Sequence, residues 1–107
     1  MAGDVCAQHQ TTLNDYQTIA ANITRPQELV HSVLALAEEA GEVVAVLRRA
    51  MYREMQGNEI VDRLEDELGD VLWCVAAVAA DAGLSLEAIA QRNLAKLKER
   101  HDPKTMP

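Results

Sequence analysis

Apolar residues recur at three- and four-residue steps along most of this chain, and no segment alternates with the two-residue period of a strand. Leu13, Tyr16, Ala20 and Ile23 predict a first helix over 12–24, with Thr12 and Asp15 at capping-box spacing and a stop before Pro26. Leu29, Val33, Leu36, Ala40, Val43 and Leu47 make one apolar stripe of a second helix over 27–54. Gly57-Asn58 then reads as a stop followed by a start, Gly57 as C-terminal cap and Asn58 as the next N-cap. Val61, Leu64, Leu68, Val71, Val75 and Ala79 predict a third helix over 59–82, ending near Gly83. Ser85 caps a fourth over 85–101, with Leu86, Ile89, Ala90 and Leu97 on its inner side. Residues 1–10 and 102–107 are expected to fray, leaving an ordered part over about 11–101. The pattern predicts one all-α domain over 1–107, built as a four-helix bundle.

Composition narrows the class. A chain of 107 residues holds one domain and one core, and 49% hydrophobic residues argue against disorder. Tyr16, Tyr52 and Trp73 are the only aromatics, while Ala, Leu and Val dominate, which suits packed helices better than a sandwich or barrel. A net charge of −7 disfavours binding a nucleic-acid polymer through its phosphates. Ten of the 17 acids lie between Glu38 and Asp70, whereas Arg92, Lys96, Lys98, Arg100 and Lys104 gather late. MAGDVCAQHQ has no apolar stretch resembling a signal, and the longest apolar run, Val71 to Ala80, is too short to span a bilayer, so no membrane is expected. Cys6 and Cys74 have no metal-ligand spacing, and a reduced, cytoplasmic setting is expected.

The unusual feature is a short repeat. Glu38-Glu39-Ala40-Gly41-Glu42-Val43-Val44 aligns with Asp66-Glu67-Leu68-Gly69-Asp70-Val71-Leu72, both reading acid, acid, apolar, Gly, acid, Val, apolar. Helical glycine costs about 1 kcal/mol relative to alanine, and like charges three or four apart repel. Glu39 and Glu42 share a helix face, Glu38 stacks over Glu42, and Glu67 pairs with Asp70, all flanking the apolar stripes. In an antiparallel hairpin the two acid groups can meet across the seam, their levels matching best if the second helix unwinds around Met51 to Glu54. Arg63 can reach Glu67, but Glu38, Glu39, Glu42 and Asp70 have no basic neighbour within a turn. Unpaired carboxylates beside a core call for protons or cations, and oxygen-only ligands favour Mg²⁺ or Mn²⁺ over zinc. Gly41 and Gly69 would let the helices, or a ligand, approach closely. Solvated acidic faces explain either motif alone, but not the repeat. A di-iron bundle needs Glu-x-x-His on two helices, and only Glu28-Leu29-Val30-His31 fits.

These residues resemble the MazG-like nucleoside triphosphate pyrophosphohydrolases of the all-α nucleotide pyrophosphatases, whose signature is Glu-Glu-x-x-Glu, a spacer, and Glu-x-x-Asp. Here it stands as Glu38-Glu39-Ala40-Gly41-Glu42 and Glu67-Leu68-Gly69-Asp70, with 24 residues between Glu42 and Glu67. LALAEEAGEVVAVL, DELGDVLWCVAAVA, and Asn93-Leu94-Ala95-Lys96-Leu97 with Arg100 are similar to the family as well, so the likeness runs from about Leu29 to Arg100. It implies a MazG-type fold and cleavage of (deoxy)nucleoside triphosphates between the α- and β-phosphates, as in house-cleaning of nucleotide pools. By position it implies Glu39, Glu42, Glu67 and Asp70 as Mg²⁺ ligands, with Glu38 holding a further Mg²⁺ or orienting the water. It further implies substrate contacts from Asn93 and Lys96, and homodimers or dimer-paired tetramers with sites near the interfaces. The smooth segment Ala76 to Ala80 suits close helix approach in such an oligomer.

Other candidates have two readings each. Asn93, Lys96 and Arg100 share one side of the fourth helix, as phosphate contacts or as a core amide beside a basic C-terminus that suits the macrodipole. Asn93 falls within the apolar stripe, where an amide needs a partner. Trp73, three past Asp70, would stack a nucleobase or bury at a subunit interface. His31, seven before Glu38, would touch substrate or remain a surface histidine. Relatives that hydrolyse dUTP or phosphoribosyl-ATP share the acidic frame, and a non-catalytic helical module binding nucleotide or protein would keep it without the chemistry.

Overall fold

Four helices account for the described chain: α1, Leu13–Ile23; α2, Leu29–Met51; α3, Asn58–Asp81; and α4, Leu86–Arg100. The structure is a computed structural model and describes residues 11–23, 28–102 and 104. The ends expected to fray lie mostly outside the described residues, as do positions 24 and 27 at the expected helix boundaries. The all-α expectation holds, with no strand among the described residues.

Local chemistry explains where each helix starts. The Asp15 N–H donates to Thr12 Oγ1 at 3.0 Å and the Thr12 N–H to Asp15 Oδ2 at 3.4 Å, the reciprocal pair of a capping box. Ser85 Oγ accepts from the Ala88 N–H at 3.3 Å, so Ser85 caps α4 as expected. The two helix starts also cap each other. The Leu13 N–H donates to Glu87 Oε1 at 2.9 Å, and the Glu87 N–H to Asn14 Oδ1 at 3.1 Å. Gln17 fixes the approach to α4, its Nε2 donating to the Leu84 carbonyl and its Oε1 accepting from the Leu86 N–H. These orphan donors of two helix ends are thereby satisfied across one junction.

Two helix ends share one design. At the end of α3, Gly83 at φ 72 lets its N–H reach the Ala80 carbonyl and the Leu84 N–H reach Ala79, a Schellman turn. At the end of α2 the same bonds run from Arg53 to Ala50 and from Glu54 to Arg49, with Arg53 itself left-handed at φ 59. The unwinding expected at Met51 to Glu54 is therefore present. The cap assignments there need correction. Arg53, not Gly57, closes α2, while Gly57, at φ 61 and ψ −134, is the N-cap of α3 and Asn58 its first residue. That backbone conformation is open to glycine and costly for other residues. Met55 is buried beneath the turn.

α2 and α3 form an antiparallel hairpin, α1 lies on α3, and α4 packs chiefly on α1. Ala76, Ala79 and Leu86 centre a small core, covered by Leu13, Tyr16 and Val75. In the hairpin seam, Ser32, Ala35, Glu39, Val43, Val46 and Ala50 of α2 are buried or half-buried, opposite Ile60, Leu64, Glu67, Val71, Cys74 and Val78 of α3. This corrects the expected stripe on α2, where Leu29, Val33, Ala40 and Leu47 are exposed. On α3, Val61 and Leu68 are likewise exposed. The true seam carries polar side chains at Ser32, Glu39 and Glu67, while a second apolar face points outward.

α4 leaves α3 at 104°, because its start is tied to α1 and not to the hairpin. Beyond Leu86 and the half-buried Ala90 its expected inner side is open, with Ile89 and Leu97 exposed. Every residue from 91 to 100 is exposed, so Asn93 is not the core amide its place in the stripe suggested. No single helix among the described residues is long and apolar enough to cross a membrane.

Candidate functional site

The antiparallel seam brings one acid of the first motif onto two of the second. Glu39, Glu67 and Asp70 each offer a carboxylate oxygen, and these oxygens lie within 4.8 Å of one another. Glu39 and Glu67 stand at seam positions, with Asp70 one turn beyond Glu67 at the exposed edge. Glu38 and Glu42, also expected as ligands, are exposed and lie outside this trio.

The trio is short of counter-charge. Arg63 reaches Glu67 at 3.8 Å, as its spacing predicted, and the other two acids form no ion pair among the described residues. Loss of solvation, followed by the nearby charges of Asp70, Glu67, Glu38 and Glu42, pushes the Glu39 carboxyl above its ordinary value. Burial, then Asp70 and Cys74, raises the Tyr16 phenol. Burial, then Glu39, Asp70 and Glu38, raises the Cys74 thiol, which lines the neighbouring cavity and stands outside the oxygen trio.

This donor set fits a hard divalent cation. It is all oxygen, and Mg²⁺ takes oxygens octahedrally at about 2.0–2.1 Å, so neighbouring ligands sit about 3 Å apart and opposed ones about 4 Å. The three oxygens, all within 4.8 Å of one another, would have to draw in around such an ion. One face of the trio stays open, as it must if water and phosphate oxygens are to complete the shell.

A cavity of about 550 Å³ adjoins the acids, bounded by α1, α2 and α3. Glu39, Asp70 and Trp73 border one end, Ser32 and Asp81 the other, and alanines such as Ala35, Ala77 and Ala80 line the length between. Trp73, 40% exposed, thus borders the cavity beside the acids. Ser32 and Asp81 were absent from the sequence-derived candidates. Their signals were weak: a serine seven residues before Glu39, and an aspartate closing an alanine-rich helix.

The remaining candidates lie elsewhere in the protomer. His31 is exposed and does not line the cavity. Asn93, Lys96 and Arg100 are exposed on α4, also outside its lining. Gly41 and Gly69 are exposed, and a Cβ at either would meet nothing within 4 Å, so no close approach within this chain requires them.

Comparison with known proteins identifies the family. Residues 27–105 match the family model described as MazG nucleotide pyrophosphohydrolase domain. The chain is 38% identical over 77 residues to the Gene 37 protein of Mycobacterium phage L5, covering 69% of this chain and 67% of that protein. No solved structure shows a significant match.

Proposed function

The chain belongs to the MazG nucleotide pyrophosphohydrolase family, and on that premise we propose that it hydrolyses (deoxy)nucleoside triphosphates with Mg²⁺, releasing a monophosphate and pyrophosphate. The observation that carries the reading is the oxygen trio of Glu39, Glu67 and Asp70 opening onto a cavity bordered by Trp73. In the reaction, water adds to the α-phosphorus, the bond to the bridging oxygen breaks, and pyrophosphate leaves with that oxygen. A bound divalent ion supplies charge neutralisation and a lower pKa for a coordinated water.

The chain's own groups then have distinct tasks. Glu39, Glu67 and Asp70 hold the cation at the seam. Glu38 and Glu42, exposed on the same helix as Glu39, would hold a further cation or orient water. Trp73 offers a face for a base. An acidic protein accepts an anionic substrate this way because the triphosphate arrives already paired with its cation.

A second copy of the chain completes the reading. Val30, Leu34, Val44 and Met51 are 63–73% exposed and recur on one outward face of α2, which also carries Ala37 and Gly41. A row of large apolar side chains this exposed favours burial against a partner. In such a homodimer Lys96 and Arg100, exposed on α4, would be free to serve the phosphates at a partner's acids. The expected setting is the cytoplasmic nucleotide pool.

The test is a panel of standard and damaged (deoxy)nucleoside triphosphates, with Mg²⁺ and with EDTA, with products separated and Glu39→Gln in parallel. Mg²⁺-dependent monophosphate and pyrophosphate, lost in the variant, support the reading. Nucleotide binding without cleavage would replace it with a binding module, and release of orthophosphate would replace the scissile bond.

A further inference from the structure

The end of the cavity remote from the acids has its own chemistry. Ser32, 3% exposed, donates its hydroxyl hydrogen to Asp81 Oδ2, joining α2 to α3. Both residues line the cavity. The bond uses the only hydrogen Ser32 Oγ carries, and an ionised carboxylate has none. These two side chains therefore present acceptors alone: the free lone pairs of Ser32 Oγ, and Asp81 Oδ1, which has no partner among the described residues. Gln17, the nearby amide on α1, is held through both its oxygen and its nitrogen by the backbone of Leu86 and Leu84.

A tie between two helices does not call for this carboxylate. Asp81 is the last residue of α3, where the helix macrodipole disfavours negative charge. The chain already carries an excess of seven negative charges, and Asp81 forms no ion pair among the described residues. Asparagine or threonine would link to Ser32 without either disadvantage. The charge is better explained by something the cavity admits.

Spacing along the groove suits a nucleotide. Ser32 lies about 10 Å from Glu39 along α2, and Asp81 about 16 Å from Asp70 along α3, at 1.5 Å per residue. A nucleotide laid along the groove with its phosphates at the acids would extend its base past Trp73 toward Ser32 and Asp81, all of which line the cavity. We infer that Asp81, oriented by Ser32, selects nucleobases that carry an exocyclic amino group over those that carry only oxo groups. An exocyclic amino group gives Asp81 Oδ1 a donor at the edge of the ring, whereas in uracil and thymine that position holds an oxo group and the N3–H lies between two oxo groups whose lone pairs oppose a carboxylate. This inference rests on the triphosphate reading above and names its substrate class.

dCTP and dUTP form the matched probe pair, since oxo replaces amino at one ring position and the adjacent N3 changes with it from acceptor to N–H donor. Calorimetry gives the affinity for each in the presence of Mg²⁺ and the products are quantified separately, for the parent protein, Asp81→Asn and Ser32→Ala. The parent should prefer dCTP at least tenfold. Asp81→Asn, which can still accept from Ser32 and adds a donor, should cut that ratio at least tenfold by gaining dUTP affinity. Ser32→Ala should lower the ratio less. Equal losses for both nucleotides in Asp81→Asn would reduce the pair to a helix tie and overturn the inference, as would equal affinities in the parent. Discrimination in binding without any product would uphold the inference while overturning hydrolysis. Product formation without discrimination would do the reverse, and binding of neither nucleotide would overturn both.

Discussion

Arg53 occupies a backbone position that glycine normally fills, and replacing it tests how the hairpin is closed. Its φ of 59 and the Arg53-to-Ala50 and Glu54-to-Arg49 bonds match the geometry that Gly83, at φ 72, supports at the end of α3. A left-handed conformation costs an L-residue about 1–2 kcal/mol. Arg53→Gly removes that cost but gives the unfolded chain more freedom, offsetting about 0.5–1 kcal/mol. The exposed Arg53 side chain forms no bond or ion pair among the described residues, so little else is lost. The net expectation is a gain of about 0.5–1 kcal/mol, or about 2–8 °C in Tm for a domain near this size. Gly83→Ala is the mirror experiment. A Cβ there meets nothing within 4 Å, so the expected loss of about 1 kcal/mol is conformational alone. Urea unfolding followed by circular dichroism reads both, with an unchanged m-value as the check that only stability moved. A fall in the urea midpoint for Arg53→Gly would refute the reasoning and show that the arginine side chain stabilises the turn.

Three further outcomes are expected. Glu39 is held above its ordinary value of 4.5, so the folded chain binds that proton more tightly than the unfolded chain does. Metal-free stability should therefore fall as pH rises from about the ordinary value through the raised one. Urea midpoints measured in EDTA should show that fall, and Glu39→Gln should flatten it. Saturating Mg²⁺ should stabilise the protein by about 2.7 kcal/mol at a hundredfold excess over Kd, and a thermal shift titration with Glu67→Gln should show no such gain. Val44→Glu, at a position 66% exposed, should convert a sedimenting dimer to monomer with helix content retained; an unchanged mass would mean the partner face lies elsewhere.

Signals carried by a few neighbouring residues were readable from the chain, and those that depend on which helix meets which were not. Thr12 with Asp15, Ser85 and Gly83 declare helix ends through bonds within five residues, and the structure shows each of them at such an end. The meeting of Glu39 with Glu67 and Asp70 was readable because two copies of one motif on adjacent helices have few ways to face each other. The direction of α4 was not, since Asn14 and Glu87, 73 residues apart, decide it.

The misreading of α2 is the more instructive case. Its apolar count favoured a stripe through Val33, Ala40 and Leu47, yet the seam runs through Ser32, Glu39 and Val46. Periodicity locates the most apolar face, and here that face differs from the one the hairpin buries. A helix that buries a serine and a glutamate while exposing Val30, Leu34 and Val44 at 63–66% forgoes apolar burial twice. On the function proposed above, each choice has its own compensation: a cation and a ligand for the polar seam, a second copy for the apolar exterior. Local rules tend to fail where function competes with folding, and on α2 they fail from Ser32 at the far end of the cavity to Glu39 at the acids, where the two half-buried members of the expected stripe, Leu36 and Val43, do not set the face that packs.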